Sequence, residues 1–380
     1  MSVTVAPLSS EIERSAHSLR MFRDNLYERL GRTEIPSLNG LRAIAIFTVI
    51  LFHADIAAPG LNSGHGVMLF FVLSGFLITW ILLRERDKTG TVSLRNFYIR
   101  RSLRIFPAFY GYWALVMVGL SVRHTPIAWG HAISALFYVN NYYYALSTHV
   151  VGWLQHAWSL AVEEQFYLLW PLAFVFLARR RKLVPALLVA IPAFWLCRAI
   201  LYLEGAPERY IVRAFEARGD MLLVGCLLAV LLKREYGLRF WQRCCTWPAL
   251  VATIAALQIS LLYTETDWYR FCVASAIEPP LMAMLIIQLV VMGERLLGWG
   301  PIRYIGRVSY GMYLYHEIGH AVGERLSTQP FIVLLIGIGV TTVMATLSFF
   351  LLEQPLLQLK DKTLQIMGAR RPALCPSRIS

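Results

Sequence analysis

The sequence predicts an all-α fold, a polytopic integral membrane protein of about ten transmembrane helices with both termini on the cytoplasmic side. Three observations carry that prediction. Of 380 residues, 57% are hydrophobic and only 16% are charged, far from the balance of a soluble domain. Apolar stretches of membrane-spanning length recur from end to end, with polar breaks between them. The basic residues are also sorted by side. A transmembrane β-barrel would instead show short segments of alternating polarity.

Taken in order, the spans fall near residues 38–57, 66–83, 105–122, 157–177, 183–203, 217–232, 246–263, 272–292, 306–322 and 331–352. With the N-terminus inside, the inner segments hold 28 of the 36 Lys and Arg, and the outer segments hold six. That asymmetry fixes the orientation N-in, C-in. It also accounts for the net charge of +13 without a nucleic-acid partner, since no aromatic-basic nucleic-acid motif accompanies it. Residues 131–147, HAISALFYVNNYYYALS, are aromatic and too polar to span. They read as an interfacial or re-entrant piece. The chain divides into a cytoplasmic segment 1–34, with an amphipathic helix expected over 10–33, a transmembrane domain 35–358 and a cytoplasmic tail 359–380. No cleavable signal peptide is expected, so the first span itself targets the chain to the membrane. The six cysteines (Cys197, Cys226, Cys244, Cys245, Cys272 and Cys375) have no metal-ligand spacing and read as free thiols.

The first span contains the most informative pair. Arg42 and His53 are eleven positions apart in NGLRAIAIFTVILFHADIA. At about 100° per residue, eleven steps return to nearly the same helical face. At about 1.5 Å per residue they cover roughly 16 Å, so Arg42 sits near an edge and His53 deep inside. Ionisable groups at such depth are costly unless they face a polar cavity, which makes a functional site the default reading.

Other segments add candidates. In FYIRRSLRIFP, Arg101 and Arg104 share a helical face under an aromatic membrane entry, where fixed guanidiniums suit the phosphates of an anionic ligand. Arg84, Arg86 and Lys88 read as ordinary positive-inside charge. HAWSLAVEEQFYLLWP puts Glu163 and Glu164 just inside a span, after Trp158 and Ser159. Carboxylates there need partners, and a base such as His53 or a salt bridge to Arg42 or Arg198 would serve. FEARGDMLLVGCLLA carries Asp220 at the outer mouth, and IGRVSYGMYLYHEIGH brings His316 near the midplane, where it can share a cavity with His53. Gly75, between Ser74 and Phe76, reads as helix packing, and His65 as interface. HEIGH at 316–320 matches the H-E-x-x-H metalloprotease pattern. With no third ligand evident in the sequence it reads as chance, and no metal is expected.

These blocks together resemble, in order, those of the membrane-bound acyltransferase type 3 family: LNGLRAIAIFTVILFH, GVMLFFVLSGFLIT, FYIRRSLRIFP, HAWSLAVEEQFYLLWP and IGRVSYGMYLYH. The resemblance covers about residues 35–358. It implies a ten-helix enzyme of the bacterial inner membrane. Such an enzyme moves an acyl group, most often acetyl, from cytoplasmic acyl-CoA to a hydroxyl of a cell-envelope or exported carbohydrate, such as a lipopolysaccharide O-antigen or an exopolysaccharide. The family's Arg-x10-His falls on Arg42 and His53, and its Arg-x-x-Arg on Arg101 and Arg104. The departures are Asn39 where members often have Asp, Ala43 where they have Gly, and Met68 where some carry a polar residue. The expected site then has His53, Arg42, Glu163 and Glu164 as catalytic residues and Arg101, Arg104 and Arg42 against acetyl-CoA. Trp158, Asp220 and His316 are expected against a glycan or glycolipid acceptor, with membrane lipid around the whole. The thioester arm would thread beside Arg42 toward His53, an imidazole of ordinary basicity suited to accept a hydroxyl proton. Acylation of a small secreted metabolite such as a macrolide is the rival acceptor. A proton-coupled transporter is the rival class, disfavoured by the lack of an internal repeat.

Overall fold

The computed structural model describes residues 8–32, 34–54, 63–147 and 152–358, and the expected tail 359–380 lies outside them. Among the described residues there are sixteen α-helices, short 3₁₀ and π turns, and no strand. Within the described residues all ten expected spans are helical, the first as far as His53. Seven helices are long and apolar enough to cross a membrane, eight if one bent pair is counted as a single span. The expected count of ten is not reached, for three reasons. The helix expected at 217–232 is the 13-residue Gly219–Leu231, about 20 Å long and shorter than a bilayer core. That at 246–263 is Trp247–Leu261, bent by 83° from the helix before it. That at 306–322 lies in Gly300–Leu326, long enough but carrying several ionisable groups.

The N-terminal helix α1 (Leu8–Gly31) is amphipathic, and its apolar stripe of Leu19, Leu26 and Leu30 is buried. It crosses the basic end of the bundle. Tyr27 donates to the Leu232 carbonyl at 2.7 Å, and Arg29 donates to the Val290 and Val291 carbonyls at 3.1 and 2.9 Å. These are carbonyls at helix ends, which lack intrahelical partners and take a guanidinium well. Then follow α2 (Pro36–His53), started by a proline in its first turn, and α3 (Ser63–Thr89). Next is α4 (Leu94–Val122), whose N-cap Ser93 accepts from the Asn96 amide.

The segment read as interfacial forms two short helices, α5 (Trp129–Leu136) and α6 (Asn140–Leu146), neither long enough to cross. After them come α7 (Trp158–Arg179), α8 (Leu183–Leu203), the short α9 (Glu208–Arg213) and α10 (Gly219–Leu231). Helices α11 (Glu235–Cys244) and α12 (Trp247–Leu261) form the bent pair, and α13 (Ser275–Met292) continues a π turn. The chain closes with α14 (Glu294–Leu297), α15 (Gly300–Leu326) and α16 (Pro330–Ser348).

Helix α3 is central, while α8 turns Leu188, Val189 and Leu196 outward, as a lipid-facing helix does. Without a hydrophobic drive between helices in lipid, close backbone contact holds the centre. A Cβ on Gly75 would lie 1.9 Å from the Leu222 carbonyl oxygen, and one on Gly225 would lie 2.0 Å from that of Val72. Gly75 is therefore the packing residue the sequence indicated, and α10, though short, is locked against α3. Helix α15 meets α2 equally closely, where a Cβ on Gly306 would lie 1.8 Å from the Asn39 oxygen. That contact sets the register between the two helices that carry the site.

Candidate active site

The functional side chains gather at two places along α2. At its basic end a cavity is lined by Arg42, Arg101, Arg104, Ser74, Glu163 and Glu164, with Ser159, Tyr310 and Tyr313 also in its wall. It is polar because four helices turn charge inward there: α2 gives Arg42, α4 gives two arginines one turn apart, α7 gives the adjacent carboxylates, and α15 gives Arg307, which pairs with Glu34 at 2.8 Å. The neighbouring arginines are used differently. Arg100 pairs with Glu85 at 3.0 Å, Arg84 donates to the Leu30 and Gly31 carbonyls and Arg86 donates to that of Ala178. Among the described residues, Arg42, Arg101 and Arg104 form no ion pair. The Arg101 guanidinium carbon sits over the Tyr167 ring, 3.7 Å from its centroid, a cation–π contact that holds the guanidinium without neutralising it. Tyr310 donates to the Ile105 carbonyl at 3.2 Å, tying α15 to α4 across the cavity.

Glu163 does not pair with Arg42 or Arg198. Its carboxylate accepts from Ser74 Oγ at 2.8 Å and from Tyr167 Oη at 3.1 Å. It thereby holds the ring on which Arg101 rests. Arg198 is engaged elsewhere, in a bidentate pair with Asp220 at 2.9 and 2.7 Å, with further donation to the carbonyls of Ala217 and Ser275. Asp220 is 2% exposed, so the structure sets it inside a saturated ion pair and not at an outer mouth. Trp158 packs edge-on against Phe71 at 6.3 Å and is not brought to the arginines. His65 is not a bare interface residue, since its Nε2 lies 3.1 Å from Glu278 Oε2.

At the opposite end, His53 is the last residue of α2, further from mid-helix than its sequence position implied. Its Nδ1 lies 2.9 Å from the Val49 carbonyl oxygen. A carbonyl only accepts, so Nδ1 carries the proton and Nε2 keeps its lone pair. The ring does not face lipid alone: it meets His316 edge-on with centroids 4.7 Å apart. His316 in turn meets His156 at 4.9 Å, and His156 Nδ1 lies 3.1 Å from Glu317 Oε1. The pairing of His53 with His316 follows from the sequence reading. His156 and Glu317 do not, because nothing in helical periodicity links the turn before α7 to the middle of α15.

His53 does not line the arginine cavity. Tyr313, in the cavity wall, stands between the two groups. Its hydroxyl bridges Ser159 Oγ at 2.6 Å and the His156 carbonyl at 2.7 Å, and its ring lies 5.7 Å from that of His316. The expected open thread from Arg42 to His53 is thus interrupted by one tyrosine.

The acyltransferase domain family matches residues 35–352. The chain belongs to this family. The chain is similar to YrhL of Bacillus subtilis, 31% identical over 368 residues, which is 85% of this chain and 55% of the relative. It is 31% identical to the peptidoglycan O-acetyltransferase OatA of Listeria monocytogenes over 357 residues, 86% of this chain and 56% of the relative. Against the O-acetyltransferase OatA of Staphylococcus aureus it is 29% identical over 349 residues, 85% and 57%. The chain therefore spans little more than half the length of the curated relatives it matches. No solved structure matches it.

Proposed function

We propose that this acyltransferase moves an acetyl group from cytoplasmic acetyl-CoA to a hydroxyl of a cell-envelope glycan, in a bacterial inner membrane. The observation that carries the reading is the unpaired state of Arg42, Arg101 and Arg104 in one cavity at the basic end of the bundle. Three guanidiniums without carboxylate partners are a site for an anion, and charge-assisted contacts to phosphate are the strong ones. The positive-inside sorting assigns that end to the cytoplasm, where acyl-CoA is found. The OatA relatives are named as O-acetyltransferases, and that of Listeria for peptidoglycan. A glycan hydroxyl of the envelope is the acceptor class this favours.

The chemistry assigns His53 Nε2 as the base. It removes the acceptor hydroxyl proton, the oxygen attacks the thioester carbonyl, the carbon–sulfur bond breaks and the proton passes to the departing sulfur. A positioned base of this kind contributes about 10²–10⁴-fold. Tyr313 must shift for the thioester and the imidazole to meet, because its hydroxyl clamp lies between them. Glu163 acts as a positioning residue, through Ser74 and Tyr167, for the Arg101 guanidinium.

The test is transfer of labelled acetyl from acetyl-CoA to envelope glycans by the purified protein in lipid vesicles, followed by mass spectrometry of the glycan. Ester-linked acetyl on a sugar hydroxyl, absent when acetyl-CoA is omitted, is the expected outcome. Vesicles that accumulate a solute without acetyl-CoA and esterify nothing would overturn the reading in favour of transport.

A further inference from the structure

We propose that His53, His316 and Glu317 form a binding site for a divalent transition-metal ion of the zinc class. One potential ligand atom from each of the three lies within 4.8 Å of the other two. The two imidazoles are prepared for a metal in the way ligating histidines usually are, with one ring nitrogen donating to a backbone carbonyl so that the other presents a lone pair. His53 Nδ1 is held by the Val49 carbonyl at 2.9 Å and His316 Nδ1 by the Tyr313 carbonyl at 2.7 Å. Each is left with Nε2.

A second observation points to a ligand. His316 is 2% exposed, and its Nε2 has no hydrogen-bond partner. A buried acceptor with nothing to accept is costly, and a cation or a shared proton relieves it. The carboxylate is positioned as well, since Glu317 Oε1 lies 3.1 Å from His156 Nδ1.

The sequence motif now has the ligand it lacked. HEIGH supplies His316, Glu317 and, one turn on, His320. The third nitrogen comes from α2 and is invisible to local spacing. His53, His316 and His320 line one small cavity, so His320 or water can complete four-coordination. Tetrahedral zinc with bonds of about 2.0–2.1 Å sets its ligand atoms roughly 3.3 Å apart. Closing from 4.8 Å takes rotation of a carboxylate and of an imidazole on the last residue of its helix. Two imidazoles and one carboxylate, without thiolate, favour zinc, nickel or copper over magnesium or calcium. A metal here occupies the lone pair assigned to the base, so occupancy switches the imidazole off. The capture itself does not depend on acetyl transfer and is read without donor or acceptor.

The experiment is calorimetric titration of the metal-free full chain in detergent with Zn2+, with Co2+ absorption as a coordination readout. One equivalent of zinc and an intense tetrahedral cobalt band are expected. His316→Ala and Glu317→Gln should each weaken zinc at least 10-fold, in line with the usual cost of disturbing a metal shell. Glu317→Gln keeps the side-chain shape, so a misfolded His316→Ala leaves the test intact. Absence of stoichiometric binding, or equal affinity in wild type and Glu317→Gln, overturns the site. Zinc should also inhibit acetyl transfer with the half-point seen by calorimetry. Full transfer at saturating zinc, with binding intact, would remove His53 from the ligand set.

Discussion

The two ends of α2 make a useful contrast. At the basic end, Arg42 joins Arg101 and Arg104 as charges that form no ion pair among the described residues, while Glu163 in the same cavity is engaged by Ser74 and Tyr167. At the other end, His53 and His316 are rings whose Nδ1 protons are placed by backbone carbonyls, and His156 packs against His316 with Glu317 beside it. The first group is built to hold a strong anion. The second is built to hold a proton or a cation. One membrane helix therefore presents two opposite chemistries roughly 16 Å apart, and Tyr313 keeps them separate. What distinguishes them is the bookkeeping of hydrogen bonds, not the number of ionisable groups.

The sharpest way to break this contrast is His53→Ala. It should lower kcat for acetyl transfer by about 10²–10⁴-fold while acetyl-CoA binding, followed by equilibrium dialysis, stays within twofold. Transfer at the wild-type rate would mean that the imidazole end carries no chemistry. Next in size is Asp220→Ala, which leaves Arg198 charged and alone in the interior. Removing one partner of a buried pair costs about 3–5 kcal/mol, and a large drop in the unfolding temperature in detergent should register it. Because neither partner belongs to either group, the surviving folded protein should keep its KM for donor. Arg101→Ala and Arg104→Ala follow. Each removes a charge-assisted contact worth about 1.5–3 kcal/mol and should raise the KM for acetyl-CoA roughly 10–100-fold, with the acceptor KM nearly unchanged. Equal effects on both substrates would show that the basic cavity is not a donor site. The smallest effect is that of salt. Raising ionic strength from about 0.01 to 0.15 M shortens the Debye length from about 30 to 8 Å, so donor KM should rise a few-fold while kcat does not. A salt response confined to kcat would reverse the assignment.

Much of this was legible in the sequence. The eleven-residue spacing of Arg42 and His53 put both on one face of a span, and the Arg101–Arg104 spacing separated that pair from the ordinary basic loop around it. The structure supports the separation: Arg100, Arg84 and Arg86 are occupied. The Gly75 contact was readable because small residues have a specific use in membranes. Other features were not readable, because they join residues on different helices. Asp220 looked like a free acid at a helix start, and its partner Arg198 sits 22 residues earlier on α8. His156 drew no reading from the sequence, and only packing brings it to His316. The span count exceeded what the helices support because hydropathy registers apolar length and not enclosure. Helix α10 is apolar because it is wrapped by protein, with eleven of its thirteen residues buried. Helix α15 falls outside the count for a different reason: it carries Arg303, Arg307, Glu317, Glu324 and Arg325, none of them buried.

The Arg198–Asp220 pair also constrains how the chain enters the bilayer. A ribosome delivers α8 first, with a lone guanidinium five residues from the helix end, where it costs less than a mid-helix arginine at about 2.5–3.5 kcal/mol but still lacks a partner. The carboxylate that offsets it arrives 22 residues later. The first of these helices is therefore at ease in lipid only once the second has joined it. The two are best understood as a single insertion unit, released from the translocon together.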